Sequence, residues 1–308
     1  MGAQTKEVKI RLQSIKNTRK ITKAMELVAA AKMRRSVEAA LTTRNYHSLT
    51  WGIVDRLINS QLWFNSNSPI KRFFEPVDEK PQHTTIVVFT SNRGLCGAFN
   101  SNVIKAMLPH LDRKSKNRSS LIAVGTKGAA TLSSLGFEIN MAYKKDDSAQ
   151  NADSISGLAG SLFNSFKDKK TDRVMVAYTD YRSAISQQSV VRQLFPFKRP
   201  PEVGRGADDT PRASEQFMSA PKQLEYLYEP NKYDLLDYLI PRIAEVELYQ
   251  ALLESNASEH SSRMVAMKNA SDAAEEMVDD LLLVYNKARQ ASITQEIAEI
   301  SAGSAAVA

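Results

Sequence analysis

Two stretches of the chain share one pattern, with mostly apolar residues returning every three and four positions, and neither stretch holds a glycine or a proline. The longer runs from Arg242 to Ala302, and Met267, Ala270, Ala274, Met277, Leu281, Val284, Ala288, Ala291, Gln295 and Ala298 fall on the repeat. Such a stripe stays turned toward one partner only when two helices wind left-handedly around each other. At 1.5 Å per residue this helix is about 90 Å long, whereas a compact domain made from the rest of the chain is roughly 30–40 Å across. The pattern predicts a protruding rod, and its alanines predict a partner helix at close range. The shorter stretch, Ala3 to Trp51, carries Val8, Leu12, Ile15, Thr22, Met25 and Ala29 on the same spacing, with Arg19 or Lys20 where one apolar residue is missing. One helix leads into the middle of the chain and the other leads out. Rooted in one central domain, the two run antiparallel, and the end of the longer one overhangs as a single helix.

The middle of the chain follows a different rule. Asn65-Ser66-Asn67-Ser68-Pro69 breaks the first helix, and residues 63–83 read as a linker. Thr84–Thr90 is a β-branched run, followed by SNRGLCGAFN and a helical pattern over Val103–Leu111. Leu121–Gly125 and Phe137–Tyr143 read as strands around a helix at Lys127–Leu135. A helix at Ile155–Phe166 precedes strands at Arg173–Tyr178, Ser189–Phe195 and Leu224–Tyr228. Strands alternating with helices predict a mostly parallel sheet with an antiparallel edge. Residues 198–221, polar and rich in Pro and Gly, read as an exposed loop. Asn231 with Asp234 has the form of a helix cap, and Pro241 is expected to kink or restart the helix that follows. The fold class is therefore α/β: a long antiparallel coiled coil of the terminal helices with an inserted, Rossmann-like α/β domain. The divisions are 1–62 for the first helix, 63–83 for the linker, 84–228 for the inserted domain and 229–308 for the last helix.

Charge changes the picture in one place. Residues 1–35 hold ten Lys or Arg against Glu7 and Glu26, a formal +8, while the whole chain carries +7. A basic helix of this kind suits either an acidic protein collar or nucleic acid, so a coiled-coil protein with a basic nucleic-acid-binding arm stands as the alternative. No run approaches the length of a membrane span. Cys96 is the only cysteine, which excludes an internal disulfide and a cysteine-rich zinc site. His47, His83, His110 and His260 share no metal-ligand spacing. Gly94 and Gly97 follow a strand and precede a helix, but they lack both the dinucleotide fingerprint and the Gly-Lys-Ser/Thr of a phosphate loop. A tight turn is the plainer reading, and neither catalysis nor a cofactor is expected.

Three motifs in order then carry a resemblance: NTRKITKAMELVAAAKMRRS near the start, RGLCGAFN in the middle, and ASEHSSRMVAMKNAS with VYNKARQASITQEIAEISAG at the end. Together they resemble the gamma-subunit family of F-type ATP synthases over essentially the whole chain. The resemblance implies a non-catalytic central rotor shaft turning within a ring of alpha and beta subunits. It also implies a globular foot that holds the epsilon subunit and rests on a membrane c-ring, at the cytoplasmic face of a bacterial inner membrane. On this likeness Lys23 and Met25 of the first helix, and Arg263, Arg289, Gln290 and Thr294 of the last, face the catalytic subunits. Arg93, Gly94, Leu95, Cys96 and Gly97 form a loop of the foot. Asn92, Ala98 and Ser304 depart from the family pattern of Asp, Gly and Ala, and the regulatory cysteine pair of the plant chloroplast form is absent.

Overall fold

The computed structural model describes residues 3–58, 69–75, 81–111, 119–148, 152–197, 229 and 232–307. The strand expected at Leu224–Tyr228, the loop at 198–221 and the cap at Asn231 lie outside them. Helix α1 covers Ala3–Ile58 and helix α5 covers Lys232–Val307. Between them come β1 (Thr84–Phe89), α2 (Phe99–Met107), β2 (Ser119–Val124), α3 (Thr126–Ser134), β3 (Met141–Tyr143), α4 (Asp153–Lys167), β4 (Arg173–Tyr181) and β5 (Gln187–Phe195). The chain divides into two compact units, residues 1–31 with 263–308, and residues 32–262.

In the larger unit the strands lie in the order β3-β2-β1-β4-β5. The first four are parallel, and β5 is antiparallel to β4. Crossovers between parallel strands are right-handed. Stepping from β1 to β2 to β3 thus puts α2 and α3 on one face, and the return to β4 puts α4 on the other. Alternate residues of each strand serve the two faces. Ile86, Val88, Leu121, Ala123, Met175 and Ala177 pack with Val103, Ile104 and Met107 of α2 and Leu132 of α3. Val87, Phe89, Ile122, Val124, Val174 and Val176 pack with Leu158, Leu162 and Phe166 of α4 and with Leu236, Ile240, Ile243 and Leu248 of α5. Both sheet faces are covered, which is why the strands read as unbroken apolar runs.

Three expectations need correction. The strand near Phe137–Tyr143 is only Met141–Tyr143, because Phe137 and Ile139 turn down to pack beside α3 instead of joining the sheet edge. Pro241 does not restart the helix. Ile240, Ile243 and Ala244 around it are almost fully buried, and that packing holds the helix through a residue that lacks a backbone donor. The segment read as linker contains a short 3-10 helix, Pro69–Phe73, whose Phe73 is fully buried. Its ring lies 5.0 Å from Phe163, 4.8 Å from Phe166 and 5.1 Å from Phe195, in an aromatic cluster that pins this segment to α4 and β5.

The two long helices meet in each unit: Arg19 of α1 pairs with Glu275 of α5 in the smaller, and Arg44 with Glu254 in the larger. In the smaller unit Leu12, Thr22 and Ala29 of α1 are buried, as are Met267, Ser271, Ala274 and Val278 of α5. This seam shares Met267, Ala274, Leu281 and Ala288 with the expected stripe. Between them it passes through Ser271, Val278 and Tyr285 instead of Ala270, Met277 and Val284, the last two of which are about half exposed. Spacings of three-then-four and four-then-three share every second position, and composition alone does not choose between them. The gap in the α1 stripe is filled by Arg19, whose guanidinium reaches Glu275 Oε1 at 2.6 Å. From Ile293 to Ala302 every residue of α5 is exposed, as an overhanging single helix requires.

Candidate functional site

In a doubly wound sheet, ligands bind beyond the carboxyl ends of the strands, at the point where strand order reverses. Here that point lies between β1 and β4. It is filled by the chain itself. Every residue of α5 from Gln250 to Ser261 is buried, around the full circumference of the helix, although the run contains Glu254, Ser255, Asn256, Ser258, Glu259, His260 and Ser261. Buried polar groups need partners, and the strand ends and the loops after them supply many, although Ser255 Oγ and Asn256 Oδ1 are buried without a hydrogen-bond partner. Ser258 Oγ donates to Thr179 O at 3.1 Å, Asn256 Nδ2 to Asp146 O at 2.9 Å, and Ser262 Oγ to Cys96 O at 2.7 Å. Ser261 bonds to Ala184 O and accepts from Gln187 Nε2. Lys145, beyond β3, is fully buried and forms an ion pair with Glu259, and its ammonium also lies 5.5 Å from the Phe99 ring centroid.

The loop Ser91–Ala98 is shaped to meet this helix. Leu95 and Gly97 both have φ near +60°, which turns the Cys96 side chain inward and its carbonyl toward Ser262. The buried thiol lies 3.6 Å from Ser91 Oγ and 3.5 Å from Asn100 Nδ2. Asn100 Oδ1 accepts from the Ser91 N–H at 2.9 Å, which closes the turn. Of the expected foot-loop residues only Cys96 faces inward; Arg93, Gly94, Leu95 and Gly97 are exposed. With the Cys96 carbonyl turned toward α5 and its thiol beside Ser91 and Asn100, the loop has the form of a structural turn.

Asn92 gives one departure from the family pattern a physical account. Its Nδ2 donates to Lys145 O at 2.7 Å and to Asp147 Oδ1 at 3.1 Å, while its Oδ1 accepts from the Lys145 N–H at 3.1 Å. An aspartate there keeps the last of these bonds and sets a second carboxylate against Asp147. Nothing in the structure explains Ala98, and the side chain of Ser304 lies outside the described residues.

A second polar cluster ties α1 to the base of α5. Arg44 reaches Glu254 Oε1 at 3.0 Å and Tyr181 O at 3.4 Å, and Gln250 Nε2 donates to the same carboxylate at 2.7 Å. Burial pushes the Glu254 carboxyl above its ordinary range; Arg44 opposes that push and the Asp180 carboxylate adds to it.

The residues expected to face catalytic subunits do not converge. Lys23 is exposed and held by Glu26 at 2.9 Å, Met25 is half-buried beside the seam, and Arg263 is half-buried. Arg289, Gln290 and Thr294 are exposed, and Thr294 Oγ1 bonds back to Gln290 O at 2.9 Å. Arg263 and Arg289 stand about 40 Å apart along one helix. These are tiers along a surface. The polar run at 250–261 escaped sequence reasoning, and its signal was the density of Ser, Asn and Glu where a solvated face should alternate with an apolar one.

Comparison with known proteins decides the family. The ATP synthase family model matches residues 4–307. The ATP synthase gamma chain of Histophilus somni (strain 2336) is 36% identical over 307 residues, 99% of this chain and all of that one. The chain belongs to the ATP synthase gamma-chain family. The gamma chain of Herpetosiphon aurantiacus, another member, is also 36% identical, over 312 residues and 99% of both chains. Among solved structures, a chain of the central stalk and c-ring of Tetrahymena thermophila mitochondrial ATP synthase is 26% identical, with a TM-score of 0.57, over 82% of this chain and 99% of that one. A chain of the Euglena gracilis mitochondrial enzyme has a TM-score of 0.66 at 18% identity over 100% and 95% of the two chains, which shows the common fold. Membership of this family leaves the nucleic-acid alternative without support.

Proposed function

We propose that the chain is the non-catalytic central shaft of an F-type ATP synthase, coupling proton-driven rotation of a membrane c-ring to ATP synthesis or hydrolysis in the alpha and beta subunits around it. The full-length likeness to gamma chains carries this reading. The single 76-residue helix that runs from the sheet to its exposed end suits the task. Among the described residues no helix is long and apolar enough to cross a membrane. On the rotor reading the shaft meets the membrane through the complex, peripherally and at the cytoplasmic face of a bacterial inner membrane. On this reading residues 1–62 and 229–308 form the shaft, 84–228 form the foot that holds epsilon, and 63–83 join them. The loop Arg93–Gly97 belongs to the foot, and Lys23, Met25, Arg263, Arg289, Gln290 and Thr294 meet the catalytic subunits at successive heights.

Arg289 offers the sharpest test. An exposed guanidinium beside the Gln290 amide can form a charge-assisted contact with a catalytic-subunit carboxylate, worth roughly 1.5–3 kcal/mol when partly desolvated. In complexes rebuilt with alpha and beta, Arg289→Ala is expected to slow ATP turnover about tenfold. Arg289→Lys is expected to recover only part of the rate, because an ammonium lacks the two-pronged geometry. Full turnover by Arg289→Ala in an assembled complex removes this residue from the contact set. Failure of the unaltered chain to assemble with alpha and beta refutes the shaft itself.

A further inference from the structure

We propose that the buried Lys145–Glu259 ion pair is the joint that fixes the shaft helix on the α/β domain and bears the load passed between them, a role that rests on the rotor reading above. The helix touches the strand ends through two kinds of bond. Ser258, Asn256 and Ser262 give neutral hydrogen bonds to backbone carbonyls of the end of β4 and of the loops after β3 and β1. Carbonyl acceptors recur along any chain, and a hydroxyl that slides past one finds another or finds water, so these bonds specify position weakly under shear. The ion pair behaves differently. Lys145 is fully buried and Glu259 is 2% exposed on its side chain, so a displacement of α5 by one turn, about 5.4 Å, leaves two separated charges without water.

The cation is itself held fast. Its backbone is clamped in both directions by Asn92, with bonds of 2.7 and 3.1 Å, and Asn92 O accepts from Thr126 Oγ1 at 2.9 Å. The side chain runs beneath the Phe99 ring. Lys145 is thus fastened to the loops after β1 and β2 as well as to its own, and a pull on Glu259 is shared by three parallel strands. Close approach stiffens the same corner. A Cβ on Gly128 would lie 2.3 Å from the Thr90 side chain, so the start of α3 rests directly on the end of β1. Buried ion pairs contribute little net stability beside an apolar replacement of equal volume. Their advantage is that one arrangement alone is tolerated, which is what a joint under alternating torque requires.

The test uses the whole complex in sealed vesicles, with ATP hydrolysis and ATP-driven proton uptake measured together. Two paired variants remove the charges and keep the volume, Lys145→Met with Glu259→Leu and Lys145→Gln with Glu259→Gln. With an uncoupler present there is no load, and both are expected to hydrolyse ATP within about twofold of the unaltered complex. As the gradient builds, protons moved per ATP are expected to fall by about threefold or more, with the apolar pair worse than the amide pair. A merely structural pair lowers assembly without this dependence on load. Unchanged uptake at the full gradient in either assembled variant overturns the proposal. So does failure of both to assemble, which would make the pair a requirement of folding. If the unaltered complex does not pump at all, the rotor reading fails, and the joint with it.

Discussion

The two halves of α5 are one helix in two environments. From Gln250 to Ser261 it is buried on every side and yet polar, whereas from Ile293 to Ala302 it is exposed on every side and carries Ile293, Ile297 and Ile300. Hydropathy read alone assigns the two the wrong way round. The buried half tolerates most of its hydroxyls, amides and carboxylates because the end of β4, the loops after β1, β3 and β4, and Arg44 of α1 present carbonyls or cations to them. The exposed half keeps its apolar residues without a partner among the described residues. Burial along this helix follows the availability of hydrogen-bond partners more than the apolar character of its residues.

Breaking a polar contact in the buried half should therefore cost more than removing a polar group from the seam of the smaller unit. The largest effect is expected from Lys145→Met, which leaves Glu259 buried without its cation and should remove about 3–5 kcal/mol of stability in denaturant unfolding of the full chain. A loss under about 1 kcal/mol would mean that water reaches the site and that the halves differ less than their burial suggests. A matched pair of serines sharpens the contrast. Ser258→Ala deletes the bond to Thr179 O, for about 0.5–1.5 kcal/mol. Ser271→Ala, in the seam and equally hidden, should stay within about 0.5 kcal/mol, since alanine is the better helix former. Equal costs for the two serines would erase the distinction.

The smallest effect is a slope with pH. Glu254 in the folded chain holds its proton to higher pH than it does unfolded. Its favourable contribution is fully present below the unfolded carboxylate range and is lost as pH rises through the raised folded value. Glu254→Gln should therefore flatten the decline in stability across that window, as read from unfolding midpoints at a series of pH values. An unaltered slope would assign the decline to another group.

Much of the fold was legible because it rests on local rules. Buried strands announced themselves as β-branched runs, and the crossover helices as amphipathic segments between them. What escaped depended on distance. Phe73 sits in a stretch of polar, Pro-flanked sequence, and only its remote partners Phe163, Phe166 and Phe195 make it core. The seam of α5 was correct at Met267 and Ala274 and one residue off between them, because which flank of a helix turns inward is set by the partner. For the candidate contacts, a family motif supplied Arg289 and Gln290 by position, and no rule of folding distinguishes them from other exposed polar residues. The polar run beneath the sheet was present in the motif ASEHSSRM, but its meaning lay in strand ends and loops more than 70 residues away in the chain, such as Thr179 of β4 for Ser258.

A sheet whose ligand seat is taken by its own helix behaves like a protein that can never be stripped of its cofactor. The occupant is tethered, so dilution does not release it and no competitor meets it at equal concentration. The same tether forbids independence. Residues 84–195 expressed alone would present an open crevice with Lys145 facing water in place of Glu259, the counterpart of an empty apo form. The foot is complete only while the shaft stands in it.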